Sequence, residues 1–139
     1  MIILDTNVLS ALMVKPAESV VLAWLDRQPE ESTWTTSITI LEIRFGLEIM
    51  ERGRRRDSRI LAFRRLIDEE IEHRVAPFDD SAATAAAELM AANKRAGTPR
   101  ELRDTMIAGI ALSRRAELAT RNVKHFAECG IEIVNPWED

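Results

Sequence analysis

The chain has 139 residues, 46% of them hydrophobic and 30% charged, which supplies enough apolar material for one folded domain over residues 1–139. Its formal net charge of -4 excludes a uniformly basic surface of the kind that coats nucleic acid, so any such surface must be local. One cysteine, Cys129, and two histidines, His73 and His125, exclude an internal disulfide and a zinc site built from Cys and His ligands.

The first half of the chain is predicted to alternate strands with helices, beginning with a strand over residues 2–5. This strand is short and aliphatic, and it ends at Asp5 and Thr6, which can cap a helix beginning near Asn7. The elements expected next are a helix that Lys15-Pro16 closes, a helix from about Val20 to Pro29, a strand over Thr33–Thr36 and a helix over 38–52, which Gly53 ends.

The second half is predicted to continue this alternation. The expected elements are a helix over 54–72, a strand over 73–78, a helix from the cap Asp79-Asp80-Ser81 to Gly97, a helix from Thr98-Pro99 to Arg115, and strands over 118–120 and 131–134. Strands separated by helical crossovers favour a parallel sheet that helices cover on both faces. We therefore predict an α/β fold, a three-layer α/β/α sandwich with a central parallel sheet of about five short strands.

Nothing in the chain indicates a membrane segment or a targeting signal. No apolar run is long enough to span a bilayer, and Met1 leads directly into the first strand without a basic region or a cleavage site. We therefore expect a cytoplasmic protein that has no membrane partner.

Asp5 is the first candidate functional residue. It ends an apolar strand, and ligands of open parallel sheets bind beyond the carboxyl ends of the strands. Because Asp is also a favoured residue for capping a helix, a purely structural cap is the alternative.

Glu42 and Asp104 are two further acids at helical positions that should be apolar. Glu42 shares the face of its helix with an apolar stripe, and Asp104 heads a second stripe, so both are predicted to point toward the core. The stripes consist of Ile38, Leu41, Phe45 and Ile49 beside Glu42, and of Ile107, Ala108 and Ala111 beside Asp104.

Three inward-facing acids on separate segments favour a shared cation, because a buried carboxylate needs a cation or hydrogen bonds to offset its desolvation. Mg²⁺ and Mn²⁺ prefer oxygen ligands, and Mg²⁺ commonly binds one or two carboxylates together with waters and substrate phosphates. Such an ion lowers the pKa of a bound water and stabilises a leaving oxygen, which favours phosphodiester hydrolysis. Structural ion pairs with arginine, for example Arg100 or Arg103 beside Asp104, are the alternative.

A basic patch lies in residues 52–65 despite the acidic total charge. Arginine makes forked hydrogen bonds to phosphate, so this patch is a candidate surface for an RNA backbone. The predicted RNA-binding residues are Arg52, Arg54, Arg55, Arg56 and Arg59. A solvated helix face balanced by the acids of residues 68–72, and a docking surface for an acidic protein, are the alternatives.

Four short motifs together resemble those of the PIN-domain ribonucleases. They are Ile3-Leu4-Asp5-Thr6-Asn7-Val8-Leu9, Glu42 in the helix after the second strand, Asp104-Thr105-Met106-Ile107-Ala108, and Thr120-Arg121-Asn122-Val123-Lys124-His125-Phe126. The closing Val134-Asn135-Pro136-Trp137 resembles the end of the FitB-like subgroup of VapC toxins. The resemblance covers the whole chain.

This resemblance implies an endoribonuclease that depends on Mg²⁺ or Mn²⁺ and is the toxin of a type II toxin–antitoxin system. Its implied partners are an RNA substrate, a VapB-like antitoxin that inhibits it, and a second copy in a homodimer, which can form a dimer of toxin–antitoxin heterodimers.

The resemblance also implies roles for individual residues. Asp5, Glu42 and Asp104 are the implied metal ligands, and Thr6 and Thr120 would orient water or carboxylates through their hydroxyl groups. Asn122, an implied site residue, and His125 stand where the family often carries a further acid. Fewer anionic ligands then remain for a second metal, so we expect one tight site and a weaker second one.

Two other functions are compatible with parts of the pattern. Asp5 could be the nucleophile of a phosphatase, although Asn7 stands where such a family needs a second Asp. The chain could instead be a non-catalytic regulatory or antitoxin-binding module, which metal-dependent RNA cleavage would exclude.

Overall fold

In the computed structural model, which describes residues 1–139, a five-stranded parallel sheet forms the centre of the molecule in the order β3-β2-β1-β4-β5. Strand β1 is central, so Ile3 lies opposite Trp34 on one side and Leu118 on the other. The strands are β1 (Ile2–Leu4), β2 (Thr33–Thr36), β3 (Val75–Ala76), β4 (Glu117–Ala119) and β5 (Ile133–Val134). Parallel neighbours need crossover connections, and helices supply them here.

Helices cover both faces of this sheet. They are α1 (Thr6–Met13), α2 (Ser19–Asp26), α3 (Ser37–Ile49), α4 (Arg54–Arg65), α5 (Asp80–Ala96), α6 (Leu102–Arg114) and α7 (Val123–Phe126). Successive residues of a strand point to opposite faces, so Leu4 joins a core with α1 to α4, while Ile3 joins a second core with α5 and α6. The predicted three-layer sandwich with five short parallel strands is confirmed. No helix has the length and apolar character needed to cross a membrane.

Helices α5 and α6 pack unusually closely at Gly109. A Cβ atom at this position would lie 2.6 Å from the carbonyl oxygen of Ala82 and 2.9 Å from the Cβ of Ala86. Only hydrogen fits there, so the small residues of both helices set the separation of the pair.

The predicted helix over 54–72 is shorter than expected. Helix α4 ends at Arg65 and continues into one wider π-helical turn over Leu66–Glu70, and Glu72 and His73 then take left-handed backbone angles. The turn at Glu72 and His73 extends into the beginning of the predicted strand 73–78, and only Val75 and Ala76 pair with β2.

The start of α6 is also corrected. The Thr98-Pro99 signal predicts a helix from there, but the helix begins at Leu102 with Glu101 as its cap. The Glu101 carboxylate accepts a hydrogen bond of 3.0 Å from the Asp104 backbone N–H, which satisfies one of the free donors at the start of the helix. Strand β4 ends at Ala119, which leaves Thr120 beyond the strand.

The prediction that the apolar stripe beside Glu42 faces the core is wrong for most of its members. Leu41, Phe45 and Ile49 are 55%, 57% and 69% exposed, whereas α3 buries its neighbouring face through Ile43 and Leu47. Apolar residues occur on two faces of α3, and only the face toward α1 and α4 is covered. Glu42 lies at the border between the two faces, and 22% of its side chain is exposed.

Candidate active site

The candidate site forms where the central strands β1 and β4 end side by side. Asp5 follows β1 and Thr120 follows β4, and the pairing of these strands brings the two residues together. The Thr120 hydroxyl donates a hydrogen bond of 2.7 Å to Oδ2 of Asp5, and the Asp5 backbone N–H donates to the carbonyl of Ala119. Parallel pairing therefore places a carboxylate at the carboxyl edge of the sheet, as the sequence predicts for ligand sites.

Asp5 is held by a dense set of hydrogen bonds. Its Oδ1 accepts from the Thr6 backbone N–H at 2.8 Å, and its Oδ2 also accepts from the Asn7 side-chain amide at 3.1 Å. Only 3% of the residue is exposed. Asp5 is thus the cap of α1 and also lines the candidate site, so its capping role is observed and its functional role stays a prediction.

Glu42 reaches the same region from α3. The Thr6 hydroxyl donates a hydrogen bond of 2.9 Å to Oε1 of Glu42, and the Arg103 guanidinium lies 3.8 Å from Oε2. Glu42 therefore has an arginine partner, Arg103 on α6. The distance between the two charged groups is long, and the arginine side chain is nearly half exposed. Such an exposed pair contributes little to stability and does not prevent Glu42 from binding another cation.

Asp104 enters the site from the first turn of α6. The Nδ1 atom of His125, which lies on α7, is 3.0 Å from Oδ2 of Asp104. Arg100 secures α7 in turn, because its guanidinium donates to the carbonyls of Lys124, His125 and Ala127 at 3.2, 2.8 and 2.9 Å. His125 thus contacts a candidate metal ligand.

These acids line one open pocket of about 470 Å³, whose lining is mostly polar. It contains Asp5, Thr6, Asn7, Ser10, Ala11, Val14, Glu18, Glu42, Asp104, Arg121, Asn122 and Trp137. The Asn122 backbone N–H donates to the Thr120 hydroxyl at 3.0 Å, which orders the loop beside Asp5. Thr120 is fully buried beneath this pocket.

Burial and mutual repulsion make two of the carboxylates hard to ionise. Burial raises the pKa of Asp5 above its ordinary value, against the lowering effect of the Thr120 hydrogen bond, and the charge of Asp104 raises it further. Burial also raises the pKa of Asp104, and Glu101 and Glu42 add to the rise, while His125 opposes it. A cation in the pocket would relieve this repulsion.

The donors fit an open magnesium or manganese site. Asp5, Glu42 and Asp104 supply carboxylate oxygens, which these ions prefer. The three side chains are not close enough together in the structure to form a three-ligand metal site. Water and substrate phosphate would complete the coordination, as is usual for Mg²⁺.

The predicted RNA-binding arginines lie elsewhere. None of Arg52, Arg54, Arg55, Arg56 and Arg59 lines the acidic pocket; they belong to α4 and the turn before it. Arg56 lies with Arg44 and Arg64 along a second depression between α3 and α4, of about 660 Å³, which we call the α3–α4 groove. There the Arg56 guanidinium donates to the Leu47 carbonyl at 2.8 Å.

Sequence reasoning missed several residues of the acidic pocket. Arg121 lies inside the fourth motif, between the predicted site residues Thr120 and Asn122, so its position in the sequence could have identified it. Glu18 and Trp137 carry no such signal, because they meet through a contact between residues that are 119 positions apart.

Comparison with known proteins agrees with this fold. The PIN domain family matches residues 2–130. The VapC ribonuclease Y4jK of Sinorhizobium fredii is 39% identical to the chain, with 99% of each covered, and toxin FitB of Neisseria gonorrhoeae is 32% identical, with 100% of each covered. The structure of FitAB bound to a DNA fragment superimposes with a TM-score of 0.87 at 29% identity and covers 99% of this chain and 96% of that one.

A parallel sheet with this carboxylate pocket at its edge, together with these matches, defines a PIN-domain protein. The chain belongs to the PIN-domain family, in the group that includes the VapC and FitB toxins.

Proposed function

We propose that this protein is an endoribonuclease dependent on Mg²⁺ or Mn²⁺ and the toxin component of a type II toxin–antitoxin system. The observation that carries the proposal is the convergence of Asp5, Glu42 and Asp104, from three separate elements, on one open polar pocket. Full-length relatives named as a VapC ribonuclease and a toxin support it.

Asp5 and Asp104 would hold the metal, and Glu42 would complete the site or position the attacking water. The bound ion would lower the pKa of a water molecule and neutralise charge on the phosphate. The hydroxyls of Thr120 and Thr6 keep the Asp5 and Glu42 carboxylates oriented toward the pocket. These hydrogen bonds fix the acids before substrate arrives, which limits the reorganisation needed for reaction.

Asn122 and His125 have smaller proposed roles. Asn122 lies at the rim of the pocket and can hydrogen-bond to substrate, whereas His125 orients Asp104 through its contact of 3.0 Å. Neither is an anion, so a second metal would bind more weakly than the first.

The phosphatase alternative is less well supported. A phosphatase of this kind needs a second acid close to the nucleophile. Asn7 stands at that position and donates a hydrogen bond of 3.1 Å to Oδ2 of Asp5.

We also propose that the α3–α4 groove binds an antitoxin of the VapB kind. Its lining combines apolar residues with three arginines, Arg44, Arg56 and Arg64, which outnumber the two acids there, Glu48 and Asp68. The apolar residues include Ile40, Leu47, Ile60, Phe63 and Ile67. An amphipathic segment with acidic flanks fits this arrangement. The similar solved structures include toxin–antitoxin complexes named FitAB and VapBC, which supports a partner of this class.

A homodimer is proposed as well. Leu41, Phe45 and Ile49 form an exposed apolar stripe on α3, and a contiguous stripe of this kind commonly marks a protein interface. This stripe lies beside Glu42, so dimerisation would place a second copy close to the pocket.

The nuclease is tested with purified protein and total cellular RNA, with Mg²⁺ or Mn²⁺ and with a chelator. We expect cleavage only with the metal, and we expect Asp104→Asn to abolish it. Asp80→Asn, at an exposed acid on α5, is the matched control and should cleave normally. Equal cleavage by Asp104→Asn and the control, or cleavage in chelator, would contradict the proposal. A phosphate-release assay with a phosphomonoester detects the phosphatase alternative.

A further inference from the structure

Arg121 is the only basic side chain that lines the acidic pocket. It directly follows Thr120, and its backbone N–H donates a hydrogen bond of 3.1 Å to the side-chain oxygen of Asn7. The backbone of Arg121 is therefore tied to the first turn of α1, whose Asn7 also holds Asp5.

The Arg121 guanidinium forms no ion pair, although four acids line the same pocket. It lies instead over the ring of Trp137, 4.7 Å from the ring centroid. A guanidinium stacked in this way keeps its N–H groups at the edge of the stack, where they can bind an oxyanion.

Trp137 is itself fixed in place. Its indole N–H donates a hydrogen bond of 2.6 Å to the Glu18 carboxylate, and its backbone N–H donates to the side chain of Asn135. The ring also packs against the apolar core on the α1 and α2 side of the sheet. Because the ring is anchored, the arginine resting on it loses less freedom on binding than a free surface arginine would.

We propose that Arg121, held on Trp137, binds a phosphate of the RNA substrate at the mouth of the acidic pocket. This inference rests on the proposed nuclease function and adds a substrate contact to it. A phosphate is the expected ligand because RNA must bring its anionic backbone to a pocket of carboxylates, and one cation at the mouth offsets that repulsion. The guanidinium covers the face of the indole, so Trp137 supports the arginine and does not stack on a base.

The test measures binding of a fluorescein-labelled single-stranded RNA by anisotropy, with chelator present and at several KCl concentrations. The variants are Arg121→Gln, Arg121→Lys and Trp137→Leu, and Arg95→Gln at an exposed arginine on α5 is the matched control. Thermal melting of each variant verifies that it is folded.

We expect Arg121→Gln to weaken binding about tenfold and to reduce the slope of log K against log salt by about 0.7, the change for one lost phosphate contact on a single strand. Arg121→Lys should keep the slope, because it keeps the charge. Trp137→Leu should weaken binding about threefold and keep the slope, because it removes only the support. Binding and slope of Arg121→Gln equal to those of Arg95→Gln would overturn the proposal.

Cleavage with Mg²⁺ separates this proposal from the nuclease proposal. We expect Arg121→Gln to raise KM about tenfold and to change kcat less than about twofold, because a phosphate away from the reacting bond contributes equally to ground and transition states. If the unmodified protein cleaves no RNA, the nuclease proposal fails, while the binding measurement still decides whether Arg121 contacts a phosphate. Cleavage by the unmodified protein with an unchanged KM in Arg121→Gln contradicts the Arg121 proposal alone.

Discussion

The acidic pocket and the α3–α4 groove differ in how their side chains are held. In the pocket, Asp5 and Thr120 follow strand ends and are tied to each other by a hydrogen bond of 2.7 Å. In the groove, the arginines stand on helix surfaces: Arg44 lies over Phe63 at 5.6 Å, and Arg56 donates to the Leu47 carbonyl at 2.8 Å but reaches Glu48 only at 3.9 Å. The pocket therefore suits a reaction that needs fixed geometry, and the groove suits a partner to which side chains can adapt.

The two regions also explain the net charge of -4. Acids gather at the pocket, and arginines gather on α4 and along the groove, so the total is an average over two opposed surfaces. Charge balance alone therefore describes neither of them.

The largest expected effect comes from replacing Asp5, a proposed metal ligand. Asp5→Asn should reduce RNA cleavage on the order of a thousandfold, because it removes a charge that would hold the metal. It should leave binding at the groove intact, which copurification with the antitoxin measures. Loss of both properties in a folded variant would break the distinction between the two regions.

A change in the groove should weaken antitoxin binding and leave RNA cleavage nearly unchanged. Ile60→Asp places a charge among the apolar residues of the groove and should weaken antitoxin binding about a hundredfold, which calorimetry measures. RNA cleavage by the free toxin should change less than about twofold. Leu61→Asp, at the next residue and outside the groove, is the control and should bind normally.

Removing one hydroxyl from the pocket should have an intermediate effect. Thr120→Val should lower kcat about tenfold, because the Asp5 carboxylate loses a hydrogen bond that holds its orientation. This bond lowers the pKa of Asp5, so its loss raises that pKa further. The acidic limb of the pH–rate profile should then move to higher pH, a shift that Thr84→Val, which alters an exposed hydroxyl, should not produce.

The smallest expected effect is on stability. The pKa values of Asp5 and Asp104 are raised, so their ionisation at neutral pH opposes folding, and acidification toward these raised values should relieve this cost. Mg²⁺ should relieve it at neutral pH and raise Tm by about 5 °C at tenfold excess over Kd. Asp104→Asn should show little rise, which differential scanning fluorimetry measures, and an equal rise in both proteins would contradict a metal site here.

Much of the fold was predictable because local patterns agree with the final packing. The strand order along the chain, the Gly97 helix end and the Asp79 cap are all local properties, and the structure confirms them. The start of α6 was not predictable, because the Glu101 side chain caps the helix from a position that carries no Ser, Thr or Pro signal.

The three acids of the candidate site were predictable from the sequence, but several other residues of the site and its geometry were not. The sequence places Asp5 at a strand end correctly, whereas it places Glu42 in the pocket for a wrong reason, since most of the stripe beside it is exposed. The contact of His125 with Asp104 and the stack of Arg121 on Trp137 depend on tertiary packing, which no local pattern encodes.

The central place of β1 has a consequence for synthesis of the protein. Asp5 is synthesised well before the residue that orients it, because the Thr120 hydroxyl belongs to a position 115 residues later. The partner strand β4 is equally late, since Ile3 pairs with Leu118. Contacts so distant along the chain form late, so the pocket cannot assemble on a growing chain until Thr120 has been synthesised.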